Sequence, residues 1–110
     1  MAKSELGGFE LLVILALIRL GDDAYGVPIA ETIEAASGRE VAAGSIYITL
    51  DRLEEKGFVT SRLGESTPQR GGRAKTYFRV TAKGLKAARQ AQRTLITLWS
   101  GVPQLHGGPA

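Results

Sequence analysis

Apolar positions along the chain fall into four helical stretches and two short runs of strand character. Residues 9–20 are apolar almost all round, apart from Glu10 and Arg19, which predicts a helix buried at the centre of a small fold. In residues 25–37, Val27, Ala30, Ile33 and Ala36 recur at one-face spacing while Glu31 and Glu34 are left for water; Pro28 is tolerated because it falls in the first turn. In residues 43–56, Ile46, Leu50 and Leu53 share the buried face. The opposite face then holds Ser45, Ile48, Arg52 and Glu55, with Tyr47 and Thr49 on its flanks. Gly21, Gly38 and Gly57 each stand just past one of these stretches, where a residue without Cβ ends a helix at no steric cost.

After Gly57 the pattern changes. Residues 58–63 and 75–81 are rich in β-branched and aromatic side chains and predict two strands. The segment between them is too polar and glycine-rich to pack, so it is expected as a long exposed hairpin loop with Gly71 and Gly72 at its turn. Thr81 is a natural N-cap for a fourth helix over residues 82–99, where Leu85, Ala88, Gln92, Leu95 and Trp99 recur at alternating steps of three and four. Such a stripe wants a partner. The expected organisation is a domain over residues 1–81, a dimerisation helix over 82–100 that uses Leu85, Ala88, Leu95 and Trp99, and a flexible Gly/Pro tail over 101–110 with a solvated His106. Three helices followed by a hairpin is the order of a winged helix-turn-helix, an α+β fold that is mainly α.

Charge gives this order a meaning. Residues 1–57 carry ten acids against five bases, whereas residues 62–93 carry nine bases and the single acid Glu65. The modest overall charge of +3 therefore hides a strongly basic C-terminal third, the footprint of a polyanion-binding surface. In a winged helix the third helix enters the major groove and the hairpin lies along the phosphates, so both features serve one purpose. Double-stranded DNA is the expected partner.

Other classes are excluded or disfavoured. With no cysteine and one histidine there is no thiolate metal site, no disulfide scaffold and no nucleophile and base pair, so neither enzyme activity, a metal nor a cofactor is expected. The apolar run at 11–18 is far shorter than the roughly 20 residues of a membrane span. The start of the chain does not read as a signal peptide, so a cytoplasmic location is expected. A winged helix serving only as a protein-interaction module is the remaining alternative, and salt dependence discriminates it from DNA binding.

Four segments carry a family resemblance: residues 9–18, the Ala24-Tyr25-Gly26 opening of helix two, Gly44-Ser45-Ile46-Tyr47 with the stretch from Leu50 to Gly57, and the stretch from Arg70 to Thr81. In their order and spacing they closely resemble the PadR family of bacterial transcriptional regulators, over about residues 6–90. The resemblance implies a winged-helix homodimer that represses transcription from a palindromic operator, often at its own gene or neighbouring transporter or stress genes, and is released by an effector. It makes Tyr47 the helix-three tyrosine, a phosphate donor, and it leaves room for a small apolar effector between the terminal helices and helix one, near Trp99. Ser45, Thr49 and Arg52 are expected on phosphates or base edges, Arg52 as a bidentate guanine reader unless Glu55 pairs it. Arg70, Arg73 and Lys75 are expected on the backbone or minor groove. Many relatives have Ser and Pro where this chain has Ala42 and Ile48. Ala42 removes a helix cap, a role open to Ser45, and Ile48 can touch a thymine methyl but reads no hydrogen-bond pattern.

Overall fold

The first helix, α1 (Gly8–Leu20), begins at Gly7, whose N–H donates to Oε1 of Glu10 at 2.7 Å. This is one half of a capping box, since a glycine N-cap has no side chain to return the bond. The computed structural model describes residues 6–64 and 75–105. Val13, Ile14, Ala16 and Leu17 of α1 are buried, but Leu12, Leu15 and Ile18 remain nearly half exposed. The helix is therefore not surrounded, contrary to its all-round apolar sequence: α2 and α3 cover one side of it, and the other side stays open.

A short 3-10 turn, Gly21–Asp23, leads to α2 (Gly26–Ser37). Its inward face is Gly26, Ile29 and Ile33, while Val27 is 59% exposed. The stripe expected through Val27 and Ala36 is thus rotated, because two isoleucines at i and i+4 bury more apolar area than a valine and two alanines. Gly38 closes α2 in the left-handed conformation, with φ 74° and ψ 15°. The Glu34 carboxylate accepts the Val41 N–H at 2.7 Å, which fixes the turn into α3 (Ala43–Glu55).

Helix α3 places Ile46, Leu50 and Leu53 wholly inside, as its spacing predicts. Strands β1 (Val59–Leu63) and β2 (Thr76–Val80) pair antiparallel, with Val59 opposite Val80 and Leu63 opposite Thr76. Phe58, Val59 and Phe78 close the core from the sheet side. The Phe78 N–H donates to the Ala24 carbonyl at 2.8 Å, tying the sheet to the start of α2.

Helix α4 (Ala82–Ser100) is capped by Thr81, whose Oγ1 accepts the Gly84 N–H at 3.0 Å and donates to the Gly57 carbonyl at 2.7 Å. Gly84 and Ala88 are buried, so the first half of α4 belongs to the core. That corrects the view that its whole stripe lacks an intramolecular groove: the small residues let the helix lie close against the domain, and only the stripe beyond Ala88 is left uncovered. Leu85 is half-buried, Leu95 and Trp99 are exposed, and a 3-10 turn at Pro103–Leu105 returns under Trp99, whose Nε1 donates to the Leu105 carbonyl at 3.3 Å. Among the described residues no helix is long and apolar enough to cross a membrane, and no three metal-ligating side chains cluster.

Candidate nucleic-acid interface

Burying Ile46, Leu50 and Leu53 turns the other side of α3 to solvent. Ser45, Tyr47, Ile48 and Arg52 are all exposed. Thr49 is not: at 7% exposure it belongs to the inner face, which corrects its expected place on an outward flank. At 100° per residue Thr49 lies between Ile46 and Leu53, so their burial takes it along.

The N-cap of α3 is Ala42, which offers no side-chain hydrogen bond, and Ser45 does not replace it. Among the described residues the Ser45 hydroxyl has no protein partner and the Arg52 side chain no ion pair; the expected alternative of an Arg52 pair with Glu55 is not realised. Between Ala43 and Leu50 there is no acid, whereas Asp51, Glu54 and Glu55 stand exposed in the second half of the helix. The first two turns, at the positive end of the helix dipole, are therefore the part of α3 suited to an anionic surface.

Tyr47 is held by what lies beneath it. A Cβ placed on Gly26 would come within 2.7 Å of its Cζ and nearer still to its hydroxyl, so the ring of α3 lies across the opening of α2. Beside it, Tyr25 and Tyr77 meet edge to face at 5.3 Å. Lys75 Nζ sits 3.9 Å from the Tyr25 ring centre, and the Arg62 guanidinium 4.7 Å from that of Tyr77. Sequence reasoning found Lys75 but missed Tyr25, Arg62 and Tyr77; Tyr77 already stood opposite Arg62 in an alternating hairpin, the one signal that could have paired them. Arg70, Gly71, Gly72 and Arg73, expected at the hairpin tip, lie outside the described residues, as does His106.

The back of α3 is anchored. Lys56 Nζ donates to both oxygens of Glu10, at 2.8 and 2.9 Å, and Lys83 Nζ donates to the Lys56 carbonyl at 2.9 Å, so α1, α3 and α4 meet at one point. Burial raises the Glu10 carboxyl, but the Lys56 hydrogen bond, the Gly7 N–H and the charges of Lys56 and Arg52 together outweigh it and hold the group below the ordinary glutamate value.

A second feature lies between α1 and α4. Leu11, Leu15, Ile18, Leu85, Ala88, Leu95, Ile96 and Trp99 line an open apolar groove of about 670 Å³, edged by Arg89, Gln92 and Ser100. All of the residues expected in dimerisation thus share one surface with α1.

Among curated proteins none matches the chain. Solved structures match over most of it. A PadR family transcriptional regulator from Eggerthella lenta is 28% identical with a TM-score of 0.68, the match covering 89% of this chain and 83% of that one. A PadR family transcription regulator from Clostridium difficile is 24% identical with a TM-score of 0.74, covering 92% of this chain and all of its own, and a PadR-like transcriptional regulator from Bacillus cereus is 21% identical with a TM-score of 0.71, covering 92% and 93%. The model of the transcriptional regulator PadR-like family matches residues 14–90, well over half of the sequence. With helix order, hairpin and fold in agreement, the chain belongs to the PadR-like family of transcriptional regulators.

Proposed function

We propose that this regulator acts in the cytoplasm as a homodimer, represses transcription by binding a palindromic operator, and lets go when a small apolar effector occupies the groove between α1 and α4. The observation that carries the DNA-reading role is the first half of α3: Ser45, Tyr47 and Ile48 stand outward, the serine hydroxyl is unpartnered among the described residues, and no acid lies before Asp51. Ser45 and Ile48 would meet base edges, Ile48 through a thymine methyl; Arg52 would read a guanine further along the helix. Thr49 lies too deep to join them. Tyr47 would donate to a phosphate, and Arg70, Arg73 and Lys75 would follow the backbone from the wing around Gly71 and Gly72.

The dimer is supported by the groove. Leu95, Ile96, Leu98 and Trp99 are each about half exposed or more on a helix whose first half is fixed to the core. Apolar surface so concentrated marks an interface, and a second copy of α4 would cover it. A space of a few hundred Å³ walled by leucines and a tryptophan also suits a small apolar molecule, and a ligand there would act between subunits.

Two reading helices related by a two-fold axis require inverted half-sites, centred about 34–36 Å apart or a multiple of it. Footprinting on the DNA upstream of the protein's own gene tests this, with a salt titration alongside. Two protected inverted halves and an affinity that falls steeply with salt are expected. A winged helix that serves only protein contacts would protect no palindrome.

A further inference from the structure

On the outer face of the hairpin two arginines are treated differently. Arg79 is neutralised by Asp22 at 2.8 Å, whereas Arg62 has no acidic partner among the described residues and lies on the ring of Tyr77. Lys75 is likewise unpaired by any acid and lies on Tyr25. The two rings support each other at an interplanar angle of 66°, and they leave little slack: a Cβ on Gly64 would stand 3.0 Å from Cδ1 of Tyr77. Tyr25 in turn precedes Gly26, over which Tyr47 of α3 lies. A continuous surface therefore runs from the reading helix through Tyr25 and Tyr77 to two cations at the base of the wing.

We propose that Arg62 and Lys75 are a pair of DNA-phosphate contacts held ready by Tyr25 and Tyr77, which are positioning residues rather than contacts themselves. This rests on the DNA-binding reading above. A long cationic side chain normally loses rotamer freedom on reaching a phosphate; one already lying on a ring has lost much of it beforehand, while its N–H groups still face outward. The stack also excludes a carboxylate from both cations, so their charge is left for the ligand.

The test measures dissociation constants of the full chain for its footprinted operator duplex and for a random duplex of equal length, across a salt series. Arg62→Ala should weaken both duplexes and lower the slope of log affinity against log salt by about 0.9, the signature of one lost phosphate. Tyr77→Leu should weaken both by about two- to fivefold for each cation set loose, with the slope kept because no charge is removed. Tyr77→Phe keeps the ring and should restore binding. Tyr25→Leu reads out Lys75 independently should Tyr77→Leu fold poorly, and stoichiometric titration counts the active fraction, so a folding defect appears there and not in the dissociation constant. Wild-type protein that binds DNA while Arg62→Ala keeps its slope, or while both leucine variants keep their affinity, overturns the stack alone. Wild-type protein that binds neither duplex overturns the DNA reading with it.

Discussion

The ring of Tyr47 occupies the space that a side chain on Gly26 would need. The first residue of α2 and the exposed tyrosine of α3 thus form one contact, and it sets where the tyrosine hydroxyl is presented. Because Tyr47 is 46% exposed, its ring has room to swing outward. Gly26→Ala is therefore expected to cost little stability, under about 1 kcal/mol, yet to move the hydroxyl. Affinity for specific and random duplexes should fall together, and Tyr47→Phe should reproduce the loss. A Gly26→Ala protein with unchanged affinity would take Tyr47 out of phosphate binding.

Gly84 shows the opposite case. A Cβ there would run into the Phe58 carbonyl oxygen and lie 2.7 Å from Cγ2 of Val80. Neither can give way, since the carbonyl is backbone and accepts the Thr81 N–H at 2.9 Å. Gly84→Ala should destabilise by about 1–3 kcal/mol or more, lowering the melting temperature by roughly 4–8 °C per kcal/mol. Differential scanning calorimetry decides it; a melting temperature like that of the wild type would mean that α4 sits further from the hairpin.

The pH dependence of stability follows from Glu10. Its folded value lies below the unfolded one, so ionised Glu10 favours the folded state. That contribution is complete above the unfolded value, about 4.3, and is lost as pH falls through the lower, folded one. Urea denaturation of wild type and Glu10→Gln between pH 7 and 3 should show a gap that closes on the acid side. A gap constant over that range would mean the ion pair with Lys56 adds nothing that titrates. The partly exposed lysine keeps the size of the gap modest.

The order of elements was legible because its signals are local. Thr81 caps α4, Gly38 ends α2 and Ile46, Leu50 and Leu53 point inward, each for a reason contained within a few residues. What was not legible depended on contacts distant in sequence. Thr49 was placed outward because its neighbours' burial was judged on three apolar positions, and the inner face is wider than those. The all-round apolar character of α1 read as central burial, but Leu12, Leu15 and Ile18 instead make an open wall facing the groove of α4. The stack of Arg62, Tyr77, Tyr25 and Lys75 joins two strands to a helix 37 residues or more earlier in the chain and has no periodicity to betray it.

That open wall gives a test of the dimer. Leu95 is exposed in the isolated chain, so Leu95→Glu should leave the monomer fold nearly unchanged while placing a charge in the proposed interface. Sedimentation equilibrium should show a dimer for the wild type and a monomer for the variant, and the melting temperature should cease to depend on concentration. If Leu95→Glu remains a dimer of the same stability, the copies meet elsewhere.

Arg52 carries the remaining prediction, for specificity. It is exposed, holds no ion pair among the described residues, and stands on the outward side of α3 one turn beyond Ile48. Its charge is already felt at Glu10, and Asp51 and Glu55 flank it, so it is less suited than the wing to a diffuse phosphate contact and better suited to a single directed one. A guanidinium that meets guanine O6 and N7 discriminates by about 1–3 kcal/mol, and the two-fold axis repeats the contact in each half-site. Arg52→Ala should therefore relax preference at one symmetric pair of base positions and leave the others unchanged. Ile48→Ala should relax a different position, one where a thymine methyl is lost. Selection from a randomised half-site library reads both in the same experiment. An Arg52→Ala protein with the wild-type preference at every position would assign sequence reading to the first two turns of α3 alone, where Ser45 and Ile48 stand without any acid beside them.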